Sequence, residues 1–243
     1  MSISSQSEAA PKPRGLLIGI PYCGGVDMRC SANQFALERP PCMWLFFCPL
    51  HGHDPAAQRN QIIASGIAES NPAWFLFLDS DVLVPANIIP HLLALDLPVV
   101  SGIVPARGIS GQAPVVREAG NGPYLKWKVG ERFEVEGTGA ACLFVAREVI
   151  DAIEPPWFEW SEGESEDMAF CRKAREAGYS ITVDAAIQCG HILEIDGPIL
   201  FTPQYEEWIK HEGKERPRFG RSMDEGYFFS LTRKTTELTQ EGP

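Results

Sequence analysis

Long hydrophobic runs are missing from this chain of 243 residues. A helix that spans a bilayer needs about 20 consecutive, mostly apolar residues, whereas the apolar stretches here are short, as in Trp74–Leu78. Residues 1–14 are polar and lack the apolar segment of a secretory leader, and we expect them to form a disordered lead-in. The sequence therefore predicts a cytoplasmic protein without a transmembrane segment.

Positive charge is also scarce. The chain carries 21 Lys and Arg against 32 Asp and Glu, which gives a formal net charge of -11. A protein whose main role is to bind nucleic acid needs a basic face that neutralises phosphates, so nucleic-acid binding is not expected. A small phosphate-containing ligand is still compatible with this charge, because a bound divalent cation supplies local positive charge.

Common catalytic motifs are absent as well. No Gly-rich loop ends in Gly-Lys-Ser/Thr, and Gly137-x-Gly139 lacks the rest of the dinucleotide fingerprint. Phosphoryl transfer through a P-loop is therefore not supported. The thiols of Cys23 and Cys142 are not predicted to be nucleophiles, because neither has an obvious histidine partner in the sequence.

The seven cysteines are odd in number, which favours free thiols in a reducing compartment. One group of side chains, Cys42, Cys48, His51 and His53, has the two thiols and two imidazoles that a tetrahedral zinc site uses. Its Cys-x5-Cys-x2-His-x-His spacing matches none of the common zinc patterns, so a structural zinc is not expected.

The apolar pattern alternates between strands and helices along the chain. Short apolar runs predict buried strands, and apolar residues at helical spacing predict helices. Their alternation favours an α/β fold with a Rossmann-like, mostly parallel central sheet flanked by helices. The predicted strands are 16–20, 43–47, 73–78, 97–103, 181–183 and 186–189, and the predicted helices are 32–37, 55–71, 85–95, 147–153 and 165–177.

The pattern changes between residues 112 and 145, where short strands and turns predict a small additional antiparallel hairpin or sheet. Gly120-Asn121-Gly122 and Val129-Gly130 are the expected turns. We assign one domain to residues 15–197 and a C-terminal extension and tail to residues 198–243, where the periodicity weakens.

An acidic pair follows the most apolar strand. Asp79-Ser80-Asp81 comes directly after residues 73–78, and ligands of open α/β sheets bind at the carboxyl ends of the strands. Two neighbouring carboxylates repel each other unless a cation lies between them, and a hard divalent cation prefers oxygen ligands. Such a cation also stabilises a diphosphate leaving group. The simpler alternative is that these aspartates begin a loop and cap the next helix.

The segment Phe75-Leu76-Phe77-Leu78-Asp79-Ser80-Asp81-Val82, followed by Pro85 and a helix, resembles the Asp-x-Asp segment of GT-A-type nucleotide-sugar glycosyltransferases, and more narrowly of glycosyltransferase family 2. The resemblance covers about residues 15–195 and implies the GT-A fold. Further segments that are similar to the family occur in its order: Gln58-Arg59-Asn60, Gly137-Thr138-Gly139-Ala140-Ala141-Cys142-Leu143, Ser165-Glu166-Asp167-Met168-Ala169-Phe170-Cys171, and Cys189-Gly190-His191.

This resemblance implies a metal-dependent glycosyl transfer from a UDP- or GDP-sugar to a hydroxyl acceptor. Asp79, Asp81 and His191 would hold Mn2+ or Mg2+, and a nitrogen ligand favours manganese over calcium. Asp167 would be the general base of an inverting reaction, because a carboxylate can take the proton of the attacking hydroxyl, and Glu166 would position it. The alternative is that Glu166 and Asp167 only stabilise the first turn of their helix.

The same resemblance implies further binding residues. Those assigned to the donor are Pro21, Tyr22, Arg59, Asp79, Ser80 and Arg107, with Tyr22 against the nucleotide base. Those assigned to the acceptor, which is a glycan, a small molecule or a protein, are Gly137, Thr138, Gly139, Trp157 and Trp160. The two tryptophans are included because aromatic faces pack against sugar rings; ordinary packing is the alternative.

Two other classes of protein remain open. A sugar nucleotidyltransferase also uses paired carboxylates and a metal. It usually has a basic Gly-rich loop after the first strand, and Gly24-Gly25 is only weakly similar to such a loop. A binding domain without catalysis could keep the same fold. A processive polymer synthase is not expected, because the membrane helices and the Gln-x-x-Arg-Trp motif are missing.

Overall fold

The computed structural model describes residues 15–41, 43–106, 113, 115–116, 124, 126–193 and 199–200. The predicted lead-in, the turn at Gly120-Asn121-Gly122, Arg107, Cys42 and all of the C-terminal extension except residues 199–200 lie outside the described residues.

Twelve strands and five helices make up the described chain. The strands are β1 (Leu16–Tyr22), β2 (Leu45–His51), β3 (Trp74–Leu78), β4 (Val82–Leu83), β5 (Val99–Ile103), β6 (Val115–Val116), β7 (Arg132–Val135), β8 (Gly137–Thr138), β9 (Cys142–Ala146), β10 (Ile181–Gln188), β11 (Gly190–Ile192) and β12 (Ile199–Leu200). The helices are α1 (Met28–Phe35), α2 (Pro55–Glu69), α3 (Ile88–Leu95), α4 (Arg147–Ala152) and α5 (Glu166–Glu176). None of these helices has the length and apolarity that a bilayer span requires.

Seven strands form one central sheet in the order β2-β1-β3-β9-β5-β10-β7. Strands β2, β1, β3, β5 and β10 run in one direction, and only β9 and β7 run against them. The prediction of a mostly parallel sheet flanked by helices is therefore confirmed. Two small antiparallel sheets, β12-β11-β4 and β6-β8, lie beside the central sheet.

Strand β3 shows why the sheet is buried on both faces. Its side chains alternate: Phe75 and Phe77 enter one apolar cluster, and Leu76 and Leu78 enter a second cluster. The first cluster includes side chains of α2, α4 and α5, and the second includes those of α3. Burying an aromatic or leucine side chain contributes about 1.5–3 kcal/mol, so β3 is held firmly and the chain leaves it at a fixed place.

Helix α2 lies close to β1 because each of these elements has a glycine at their contact. A Cβ on Gly19 would come within 2.7 Å of Ile62, and a Cβ on Gly66 would come within 2.6 Å of Leu17. Asp54 begins the helix, since its side chain accepts a hydrogen bond from the Ala56 N–H. The close approach matters for the site, because α2 carries buried polar side chains toward the carboxyl ends of the strands.

Several predicted boundaries are wrong. Helix α1 begins at Met28, because Asp27 accepts a hydrogen bond from the Arg29 N–H, and helix α3 begins at Ile88 rather than at residue 85. Strand β2 starts and ends later than predicted.

The two predicted late strands are one strand, β10. Asp184 does not interrupt it, because the buried carboxylate accepts hydrogen bonds from Ala186 N–H and Arg132 and contacts His91. These partners hold the pKa of Asp184 below its usual range despite the opposing effect of burial.

Candidate functional site

The predicted acidic pair begins where β3 ends. The Asp79 N–H donates to the carbonyl of Ala141, which ties the start of the loop to the residue before β9. The Val82 N–H then donates to the Asp79 carbonyl and closes a tight turn into β4. The Asp79 and Asp81 side chains remain about a quarter to a third exposed, as expected for ligand-binding carboxylates at a strand end.

Arg59 joins two carboxylates from different elements. Its Nη2 lies 2.8 Å from Asp79 Oδ1 and its Nη1 lies 2.9 Å from Glu166 Oε1. The guanidinium is 3% exposed, and the Glu166 side chain is 9% exposed. Burial raises the pKa of Glu166, the charge of Asp167 raises it further, and Arg59 opposes both effects. A buried guanidinium with two oxygen partners fixes the distance between the Asp-x-Asp turn and α5.

The neighbours of Arg59 hold the surrounding chain. Gln58 donates from its amide to the carbonyls of Tyr22 and Leu50, at the ends of β1 and β2. Asn60 exchanges two hydrogen bonds with the backbone of Phe158, at 2.7 and 3.0 Å. The Phe158 ring lies 5.6 Å from the Arg59 guanidinium. Three consecutive residues of α2 therefore hold three different parts of the site.

Asp81 and His191 come together because β11 pairs with β4. Register places His191 opposite Val82, so its imidazole lies beside Asp81, with Nε2 3.4 Å from Oδ1. The other ring nitrogen, Nδ1, lies 2.7 Å from the carbonyl of Pro105. A carbonyl only accepts, so Nδ1 donates its proton to Pro105, and Nε2 is the ring nitrogen that faces the Asp81 carboxylate.

This pair suits a divalent metal ion. A ring nitrogen and a carboxylate that face each other can hold a divalent cation between them, and a backbone carbonyl that orients a ligating imidazole is a common arrangement at metal sites. One nitrogen and one carboxylate oxygen fit manganese better than calcium. Residues 15–193, apart from their undescribed gaps, hold no cluster of three or more His, Cys, Asp or Glu side chains arranged for a metal. Asp79, the predicted third ligand, contacts Arg59, and its part in metal binding stays a prediction.

Asp167 lies in the first turn of α5. Its Oδ1 accepts a hydrogen bond from the Met168 N–H at 2.8 Å and one from the Ser165 hydroxyl. Ser165 precedes the helix, although the predicted helix begins at this residue, and its side chain does not cap the helix because its hydroxyl donates to Asp167. The helix ends before Gly178, whose φ of +92° favours glycine. The two hydrogen bonds to Oδ1 fix the orientation of the Asp167 carboxylate.

One cleft at this edge of the sheet brings most of the predicted residues together. Its lining includes Ala106, Ala113 and Val115 together with residues 138–141. Seven of the predicted site residues line it: Arg59, Asp79, Thr138, Gly139, Glu166, Asp167 and His191. Asp81 joins them through its contact with His191.

The strip of residues 137–139, which is predicted to bind the acceptor, is held by α5 and β5. A Cβ on Gly137 would come within 2.4 Å of Met168 Sδ, so the absence of a side chain lets α5 approach. Thr138 donates its hydroxyl to Ser101 Oγ at 3.1 Å. Of this strip, Thr138 and Gly139 line the cleft.

Other predicted residues lie outside the cleft lining. Pro21 is buried in β1, and the Tyr22 ring packs edge-on against His51. Ser80 is part of the turn after β3. Trp157 donates its indole N–H to the carbonyl of Ile150 and packs against the apolar core.

Trp160, which is 57% exposed, donates its indole N–H to Asp54. The contacts predicted for these residues with a donor or an acceptor stay predictions. So does the donor contact of Arg107, which lies outside the described residues.

Comparison with solved structures identifies the fold. The chain is similar to A197 from STIV, with a TM-score of 0.58 and 18% identity over 78% of this chain and 95% of that one. It is also similar to GalNAc-T7, solved with UDP, GalNAc and Mn2+, with a TM-score of 0.54 and 12% identity. That match covers 76% of this chain and 45% of GalNAc-T7.

The chain therefore has the GT-A fold, as the sequence resemblance predicts. Searches with protein-family models and among curated proteins found no match, so the narrower resemblance to family 2 stays a prediction.

Proposed function

We propose that this protein is a metal-dependent glycosyltransferase that takes a sugar from a UDP- or GDP-sugar and passes it to a hydroxyl acceptor. The charge of the site carries the proposal. Four carboxylates, Asp79, Asp81, Glu166 and Asp167, and one guanidinium, Arg59, give the described site a formal charge of about -3. Such a site repels a bare diphosphate, whereas a diphosphate that arrives with a divalent cation is accommodated.

The residues divide the work as follows. Asp81 and His191 would hold the metal, and a divalent cation bound there would supply the positive charge that stabilises the diphosphate as the leaving group. Arg59 keeps Asp79 in place beside the donor. Asp167 accepts the proton of the acceptor hydroxyl as its oxygen attacks the anomeric carbon, and Glu166 holds α5 at the required distance through Arg59. The alcohol therefore becomes a better nucleophile only where the sugar is bound.

The test is to incubate the full chain with Mn2+ and a panel of UDP- and GDP-sugars and to measure the released products. We expect slow release of nucleoside diphosphate from at least one donor, and none after chelation of the metal. Release of pyrophosphate from a sugar phosphate and a nucleoside triphosphate would instead show a sugar nucleotidyltransferase. Binding of nucleotide without turnover would show a binding domain.

Asp167→Asn should lower kcat for transfer to the acceptor by about a hundredfold, because an amide cannot take the hydroxyl proton and general base catalysis contributes about 10²–10⁴-fold. The KM for the donor should change little, since Asp167 does not hold the diphosphate. The measurement is transfer kinetics with the acceptor found by screening. Glu162→Gln, an exposed residue before α5, is the matched control and should keep full activity. An Asp167→Asn enzyme as fast as the wild type excludes Asp167 as the base.

A further inference from the structure

A thiol and an imidazole meet outside the cleft, at the ends of β1 and β2. Cys23 Sγ lies 3.0 Å from His53 Nδ1. The two strands are parallel and in register, with Tyr22 opposite His51, so the residues that follow them leave the sheet side by side. The expectation that Cys23 lacks a histidine partner is therefore wrong. The partner is 30 residues away in the chain and could not be recognised from local spacing.

The surrounding chain fixes the position of this pair. The Gly52 N–H donates to the Tyr22 carbonyl at 3.0 Å, which ties the two loops together. The His53 ring packs edge-on against His51 with 5.7 Å between ring centres, and His51 packs edge-on against Tyr22 at 5.3 Å. A nucleophile within hydrogen-bond reach of an oriented base is the arrangement that activates a thiol.

The pair is also open to small molecules. Cys23, His53 and the following Gly24 are exposed. A Cβ built on Gly24 would meet no atom within 4 Å. A small reagent can therefore reach Cys23 Sγ from the solvent without any rearrangement of the fold.

The other described thiols are much less accessible. Cys30, Cys142, Cys171 and Cys189 are buried. Burial raises the pKa of Cys30 and of Cys171 to about 12, which leaves almost no thiolate near neutral pH. Cys48 is half-buried, and burial, together with the charge of Glu69, raises its pKa. Access to solvent therefore favours reaction at Cys23.

We propose that Cys23 and His53 form a nucleophilic site that reacts with small uncharged peroxides, with hydrogen peroxide as the simplest member. Cys23 Sγ attacks one peroxide oxygen, so an S–O bond forms and the O–O bond breaks. His53 Nδ1 accepts the thiol proton and passes it to the departing hydroxide, which leaves as water. The cysteine is oxidised by two electrons to a sulfenic acid, and the peroxide is reduced to water.

The test uses the full chain with Cys42→Ser, because Cys42 lies outside the described residues. The protein is treated with hydrogen peroxide and dimedone, and the adduct is mapped to peptides by mass spectrometry over time. We expect the adduct on Cys23 first. His53→Gln should slow its formation about a hundredfold, the lower end of what a general base contributes, and added imidazole should restore much of the rate in His53→Gly. Cys48→Ser is the matched control and should leave the rate unchanged.

Two results would overturn the proposal. One is an adduct that forms faster on another cysteine than on Cys23. The other is an unchanged rate in His53→Gln. Circular dichroism melts of each variant establish that the fold is intact, so that a slower reaction reports the lost base. The readout requires no sugar nucleotide, and it therefore stands or falls separately from the proposed glycosyl transfer.

Discussion

Asp81→Ala should lower the rate of nucleoside diphosphate release by about a thousandfold. Asp81 and His191 face each other at 3.4 Å, and the orientation of His191 by the Pro105 carbonyl leaves Nε2 as a ligand atom. Without the Asp81 carboxylate, only the imidazole of His191 remains from this pair to hold the metal. The stabilisation of charge on the leaving group by the metal, which is worth several kcal/mol, is then lost. A loss of about 4 kcal/mol corresponds to about a thousandfold in rate.

The measurement is donor hydrolysis at saturating donor over a range of Mn2+ concentrations, with Mn2+ binding followed independently by calorimetry. Asp151→Ala is the matched control. Asp151 is an exposed aspartate on α4 that pairs with Arg147, and loss of such a surface pair costs well under about 1 kcal/mol. Hydrolysis by Asp81→Ala at the wild-type rate, with unchanged Mn2+ binding, would remove Asp81 from the metal site.

The position of the acidic pair at the end of β3 could be predicted from the sequence because its signal is local. Asp79 and Asp81 directly follow the most apolar strand. Charged residues can follow a buried strand only where the chain leaves the sheet at the end of that strand. The assignment of His191 rests on the family resemblance alone. Its contact with Asp81 arises from the pairing of β11 with β4, two short strands that carry too few residues to give a recognisable pattern.

The role of Arg59 could not be predicted from the sequence. A charged residue on a helix is usually on its solvent face, whereas here Gly19 and Gly66 bring α2 so close to β1 that Arg59 is buried. Its partner Glu166 is 107 residues away. A glutamate in the first turn of a helix is stabilised by that position and needs no arginine partner. The ion pair between Glu166 and Arg59 is therefore revealed only by the packing of α2 against α5.

The hydrogen bonds of Trp157 and Trp160 could not be predicted from the sequence either. Their position just before α5 made them candidates for stacking on a sugar. An indole N–H needs a hydrogen-bond acceptor when it is partly buried. Trp157 finds one in the Ile150 carbonyl, and Trp160 finds one in Asp54 at the start of α2. These hydrogen bonds fix the orientation of the two indole rings, and a contact of either ring with a sugar stays a prediction.

Arg59→Met should lower the free energy of unfolding by about 3 kcal/mol at pH 8, because removing one member of a buried ion pair leaves its partner as an uncompensated charge. The uncompensated buried charge is that of Glu166, since its side chain is only 9% exposed, whereas the Asp79 side chain reaches solvent. The pKa of Glu166 is already raised by burial and by Asp167. Without Arg59 the folded state raises it further above the unfolded value, so folding takes up a proton.

A group that binds a proton more tightly in the folded state loses stability as the pH rises. The destabilisation of Arg59→Met should therefore be clearly smaller at pH 5 than at pH 8, as measured by urea unfolding at both pH values. Arg172→Met is the matched control, because Arg172 lies on α5 but pairs with Glu164 and Glu176 at the surface. It should cost less than about 1 kcal/mol at either pH.

The double variant Arg59→Met/Glu166→Gln separates charge from packing. Glutamine keeps the size of the side chain and removes the uncompensated charge, so the double variant should recover more than half of the lost stability and lose the pH dependence. Donor hydrolysis should stay low in both variants, because Asp79 has lost the guanidinium that orients it. Equal losses for the single and double variants would mean that Arg59 acts through its contact with Phe158 and not through the carboxylates.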